Sequence, residues 1–171
     1  TASGPTPLSG SGGAVSGATF KAGTYSLSET GPSGYQPNGW TCVGGNQSAS
    51  QITLALGESA TCTIVNDDIT AHLTLKAQVI NSYGGTAVPG DWTVAAGSLS
   101  GSGTGVDGDV NAGPYTLSYS GGPSAGYTAG SWSCTPVNAV GGTVTLGLAD
   151  NVTCTVTFHD IAPKLTVIKH V

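Results

Sequence analysis

Residues 60–68 alternate strictly: Cys62, Ile64 and Asn66 fall on one face, Thr61, Thr63 and Val65 on the other. That period of two is the mark of a β-strand. It places an asparagine among inward-facing apolar side chains, where a polar group must find a partner or react. The pattern recurs at residues 152–160, with Phe158 in the place of the asparagine. Further strands are predicted at 72–79, 91–95 and 164–171, separated by Gly/Ser/Pro-rich turns at 10–17, 31–39, 97–105 and 121–126. No stretch longer than a few residues shows a 3.6-residue period, so the chain reads as all-β with helix nearly absent.

The second half repeats the first. Trp40, Cys42 and Cys62 match Trp132, Cys134 and Cys154, each at an offset of 92 (132−40, 134−42, 154−62). Residues 22–28 match 112–118 at an offset of 90, and 69–79 match 161–171 at 92. The second copy, 70–161, opens with a first strand at 72–79, a turn at 81–85 and a second strand at 91–95. The first copy, 1–69, lacks that first strand, its Thr1 standing level with roughly 91–93. Residues 162–171 form a surplus first strand with no domain behind it. The expectation is an incomplete domain, a complete one and a spare strand.

The matched cysteines are expected to pair locally, as Cys42–Cys62 and Cys134–Cys154. A bridge closing a loop of about twenty residues contributes on the order of 3 kcal/mol in the chain-entropy model. Four free thiols, or bridges between copies, are the alternatives. Four cysteines in a chain with only four Lys and Arg residues suggest an oxidising, extracellular setting. The formal net charge is −5 with no basic patch, so neither nucleic acid nor an anionic membrane is an expected partner. No apolar run approaches a membrane span, no signal peptide is visible, and the chain, which has no Met, reads as a mature or excised segment.

At Gly-Thr-Tyr-Ser-Leu-Ser-Glu (23–29), Gly34-Tyr35, Gly-Trp-Thr-Cys (39–42) and Ala-Thr-Cys-Thr-Ile-Val-Asn-Asp-Asp (60–68), the sequence resembles the prealbumin-like, collagen-adhesin B-type (pilin-type) repeats of bacterial surface proteins. The resemblance implies two tandem Greek-key, Ig-like β-sandwich domains of about seven strands each. It also implies an internal Lys–Asn or Lys–Asp isopeptide bond promoted by a buried acid, with the lysine on the first strand and the asparagine on the last.

Strand parity offers one complete set for that chemistry. Glu29 shares a face with Tyr25 and Leu27, Asn66 faces inward, and Lys169 shares a face with Leu165, Val167 and Val171 on the surplus strand. In the second copy the same three positions are Ala77, Tyr119 and Phe158, while Lys76 falls on the opposite face. Attack on an amide needs an uncharged amine, and an acid able to hydrogen-bond the Asn66 carbonyl and relay protons. Burial in an apolar core favours the uncharged form of both. A fold that holds the groups together supplies roughly 7–11 kcal/mol of the barrier as effective concentration. The product is one bond without turnover, so no enzyme activity and no cofactor are expected. The bland alternative is a buried Lys–Glu–Asn hydrogen-bonded cluster. Asp67 turns outward and is the poorer electrophile.

Other features carry less. Asp107, Asp109 and Asn111 have oxygen spacing but no later bidentate Glu, so they read as an acidic turn and no metal is expected. His72, His159 and His170 lack ligand spacing and read as solvated. Asn46 and Asn151 head glycosylation sequons. Trp40 and Trp132 read as packing beside the cysteines. The functional expectation is a structural subunit or repeat unit of an extracellular or cell-surface filament. Identical subunits would assemble head to tail by strand complementation, locked by the Lys169–Asn66 bond with Glu29 as promoter. The alternative is a ligand-binding adhesin stalk module cut from one long tandem-repeat surface protein; its surface ligand is not specified by the sequence.

Overall fold

In a computed structural model that describes residues 1–123 and 125–170, the chain divides into two compact units, Thr1–Ile69 and Thr70–Val171. The described residues hold strands and a single 3₁₀ turn, Pro89–Asp91.

The first unit contains β1 (Ala2–Ser3), β2 (Gly23–Leu27), β3 (Tyr35–Val43), β4 (Asn46–Ser48), β5 (Gln51–Leu54) and β6 (Thr61–Asp68). One sheet runs β1-β2-β5-β4; the other is the antiparallel pair β3-β6. Alternation in β2 buries Tyr25 and Leu27, and the Tyr25 hydroxyl donates to the Lys21 carbonyl. In β6, Cys62, Ile64 and Asn66 are half-buried while Thr61, Thr63 and Val65 are exposed. Only Tyr25, Leu27 and Ile52 form the buried apolar core of this unit.

The second unit contains β7 (Ala71–Ile80), β8 (Trp92–Ala96), β9 (Leu99–Ser102), β10 (Val106–Val110), β11 (Gly113–Gly121), β12 (Tyr127–Ala129), β13 (Ser133–Thr135), β14 (Thr143–Leu146) and β15 (Asn151–Asp160). One sheet has the order β10-β7-β15-β12, with β13 also on β15; the other has the order β14-β11-β8-β9. Both sheets contribute to one core of sixteen buried residues, among them Leu73, Leu75, Val94, Leu117, Val152 and Val156. This is a β-sandwich, with the chain crossing between sheets after β7, β9, β10, β11, β13 and β14. The central pair, β7 and β15, is parallel, from His72 opposite Asn151 to Ile80 opposite His159.

Several sequence readings shift. Residues 161–170 carry no regular structure, because a strand without a ladder partner leaves its backbone groups to water. Val171 lies outside the described residues. Ala2 pairs with Leu27 as Ala96 pairs with Leu117, so Thr1 stands level with Ala95 rather than with residues 91–93. Residues 97–105, read as a turn, contain β9, and residues 31–39 contain the start of β3. Asp107 and Asp109 lie not in a turn but on β10, whose pairing sets Asp109 opposite His72. His72 accordingly meets both carboxylates, Nδ1 at 2.7 Å from Asp109 and Nε2 at 3.4 Å from Asp107. The Asp109 hydrogen bond is the main cause that raises its pKa above the ordinary 6.5.

Candidate functional site

Both disulfides are formed, Cys42–Cys62 across β3 and β6, and Cys134–Cys154 across β13 and β15. Each joins residues directly opposite in an antiparallel ladder, so β-pairing itself sets the partners. Trp40 and Trp132 pack against the adjoining cores.

Near the end of β6, Asn66 meets Glu29, which follows β2. The Asn66 Nδ2 donates to Glu29 Oε2 at 3.1 Å in a half-buried setting. The Asn66 Oδ1 is buried and has no hydrogen-bond partner among the described residues. The reading from sequence had the Glu29 carboxyl on the amide carbonyl; here it sits on the amide nitrogen. β3 opposite carries a bulge, with Pro37 facing Asn66 and Trp40 facing Ile64. Gly39 within it adopts φ +90°, which a residue without Cβ adopts freely.

The other edge of β6 has no strand beside it among the described residues; in the second unit, β7 occupies that place on β15. A groove of about 1190 Å³ opens there, lined by Tyr25, Leu27, Ile52, Cys62, Ile64 and Asn66 among others. Lys169 is not brought to Glu29 and Asn66: it lies in the exposed segment after β15, beside Leu165 (87% exposed) and Val167 (82% exposed). Asp67 is exposed, as is Lys76.

At the matching place in the second unit, Tyr119 meets Phe158 edge to face at 5.0 Å, and Trp92 stacks on Phe158 at 4.2 Å. The two positions are in contact in both units. One contact is polar and the other is aromatic.

Asp160 is a structural residue the sequence reading missed. It is only 6% exposed, and its carboxylate accepts the backbone N–H groups of Ser82 (2.8 Å), Tyr83 (2.7 Å) and Gly85 (3.0 Å). Burial pushes its pKa up, but these donors outweigh burial and hold it below the ordinary value. The available signal was the matching Asp68 at an offset of 92 (160−68).

The chain is all-β, and each of its two units carries one cross-strand disulfide. Residues 1–64 and 68–156 match the SpaA-type prealbumin-like fold domain family, and the chain belongs to that family. No curated protein and no solved structure matches it significantly. Two disulfides point to an oxidising, non-cytoplasmic setting, and among the described residues no helix is long and apolar enough to cross a membrane.

Proposed function

We propose that the chain is a structural unit of an extracellular, pilus-like filament, in which a strand of the 164–170 type from a neighbouring unit completes the first unit and is then bonded to it. The neighbour is either a separate chain or the adjoining part of one tandem polypeptide. The observation that carries this reading is the open edge of β6 beside a groove that Asn66 lines, with the Asn66 amide oxygen buried and unpartnered among the described residues. Strand addition supplies main-chain hydrogen bonds to the edge and apolar side chains to the groove.

The second unit provides the register. Leu73 lies opposite Val152, Leu75 opposite Cys154 and Ala77 opposite Val156. Moved by the repeat offset, Leu165 lies opposite Ala60, Val167 opposite Cys62 and Lys169 opposite Ile64. Lys169 is then one pleat from Asn66, a same-face diagonal of about 8 Å (one strand spacing across, two residues along) that a long side chain spans. Burying Leu165 and Val167 stabilises the complex by about 1.5–3 kcal/mol each. Residues 16–20 of the first unit, which by count from Gly23 correspond to β10, carry no strand. Among the described residues β10 pairs only with β7, so the incoming strand supplies their missing partner as well.

In the bonding step the neutral Lys169 amine attacks Asn66 Cγ, and the Cγ–Nδ2 bond breaks. The proton released by the amine passes through Glu29 to Nδ2, which leaves as ammonia. One amide replaces another and nothing turns over, so the step is self-modification. Intact mass under denaturing, reducing conditions tests it: each bond removes about 17 Da, the mass of the ammonia lost in this covalent modification. Separate chains would also leave a ladder of monomer multiples in boiled detergent. Unchanged mass in assembled material would reduce the site to a hydrogen-bonded cluster.

A further inference from the structure

In the second unit the connection after β7 is held by two side chains that stand opposite each other in the ladder, Asp160 on β15 and Tyr127 on β12. Asp160 takes the three backbone N–H groups of Ser82, Tyr83 and Gly85. The Tyr127 hydroxyl donates to Asn81 Oδ1 at 2.7 Å and accepts from the Ala87 N–H at 3.0 Å. Asn81 Nδ2 donates in turn to the Ala87 carbonyl at 3.1 Å, closing the loop on itself. Gly85 passes so near that a Cβ there would overlap the tyrosine hydroxyl and crowd Asn81. The strand end is fixed by the Ile161 N–H on the Gly126 carbonyl at 2.8 Å.

The first unit has the same fittings. Asp68 lies opposite Tyr35, and the Ile69 N–H donates to the Gly34 carbonyl, also at 2.8 Å. All four residues match their counterparts at an offset of 92 (160−68, 127−35, 161−69, 126−34). Yet no loop is seated there among the described residues: Asp68 is exposed and Tyr35 is 44% exposed. An aspartate and a tyrosine that ligate a loop in one copy stand bare in the other.

We propose that Asp68 and Tyr35 form a receptor for the loop that follows the incoming strand. That loop would carry an asparagine at its first position and a glycine at its fifth, in the manner of Asn81 and Gly85. This rests on the strand-addition reading and narrows the partner: a strand alone fills the groove, whereas a strand with its loop also engages the end of β6. The carboxylate gathers backbone N–H groups, so it selects loop shape and the glycine rather than the intervening side chains.

The test uses the intact chain and two synthetic peptides, one of sequence 164–171 and one in which 164–171 is followed by the sequence of 80–87. The longer peptide should bind at least about tenfold more tightly, since several hydrogen bonds, three of them to a carboxylate, are added. Asp68→Asn, or Gly85→Val within the peptide, should remove that advantage and leave the short peptide's affinity unchanged. Equal binding of both peptides, or an advantage that survives Asp68→Asn, overturns the receptor alone. If neither peptide binds, strand addition itself falls, and the receptor with it.

Discussion

The two units are the same design with opposite interiors. In the second, β7 lies on β15, Phe158 is stacked under Trp92, and sixteen residues are buried together. In the first, β6 has one open edge, Asn66 takes the place of Phe158, and three apolar residues are buried. The comparison teaches that the polar pair and the open edge go together: an asparagine stands where Phe158 closes the core under Trp92, and a glutamate where Tyr119 meets the edge of that ring. Buried polar groups cost free energy unless matched, so this arrangement suits a unit that gains a partner.

The strongest way to break the comparison is to exchange the interiors. Ala77→Lys, Tyr119→Glu and Phe158→Asn together should give the second unit its own crosslink, read as an added loss of about 17 Da. The triple variant keeping its mass while folded would show that the three residue types are not enough. Next in size, Phe158→Ala should destabilise the second unit by about 3–5 kcal/mol in denaturant unfolding, as deletion of a buried aromatic does. Removing Cys134–Cys154 with paired serines should cost about 3 kcal/mol on the same scale. The second unit should survive that loss, whereas the matching change at Cys42 and Cys62 should leave the first unit open to protease within residues 1–68.

The smallest effects are those of pH, and they separate two sites of the second unit. Asp160 has a lowered pKa, so its contribution is complete above its ordinary 3.8 and disappears as pH falls through the lower, folded value. Asp160→Asn should flatten that acid limb of a melting-temperature profile. His72 has a raised pKa, so its contribution is complete below 6.5 and disappears as pH rises through the higher, folded value. His72→Gln should remove that neutral-to-alkaline decline and leave the acid limb as it was.

Much of this was legible in the sequence because β-parity is a local rule. Alternation in residues 60–68 gives the inward face of β6, and the repeat offset carries it to β15. The parity that turns Tyr25 and Leu27 inward also turns Glu29 toward Asn66. What escaped depends on partners distant in the chain. Residues 164–170 have the alternation of a strand, yet a strand exists only within a ladder. The acidic pattern at 107–109 resembles a turn until its pairing with β7 is known, and that pairing is also what gives His72 its carboxylates. Asp160 looked like the polar end of a strand; its role lies in a loop 75–78 residues away.

The parallel run of β7 beside β15 also sets how the second unit would respond to tension. The two strands start together at His72 and Asn151 and finish together at Ile80 and His159. A pull entering at the start of β7 and leaving at the end of β15 therefore acts at opposite ends of one ladder. It slides the strands past each other and loads every rung at once, in shear. A hairpin pulled at its free ends would instead peel one rung at a time. Because forced unfolding is governed by the barrier to opening rather than by equilibrium stability, this geometry confers resistance to stretching beyond what a melting experiment would reveal.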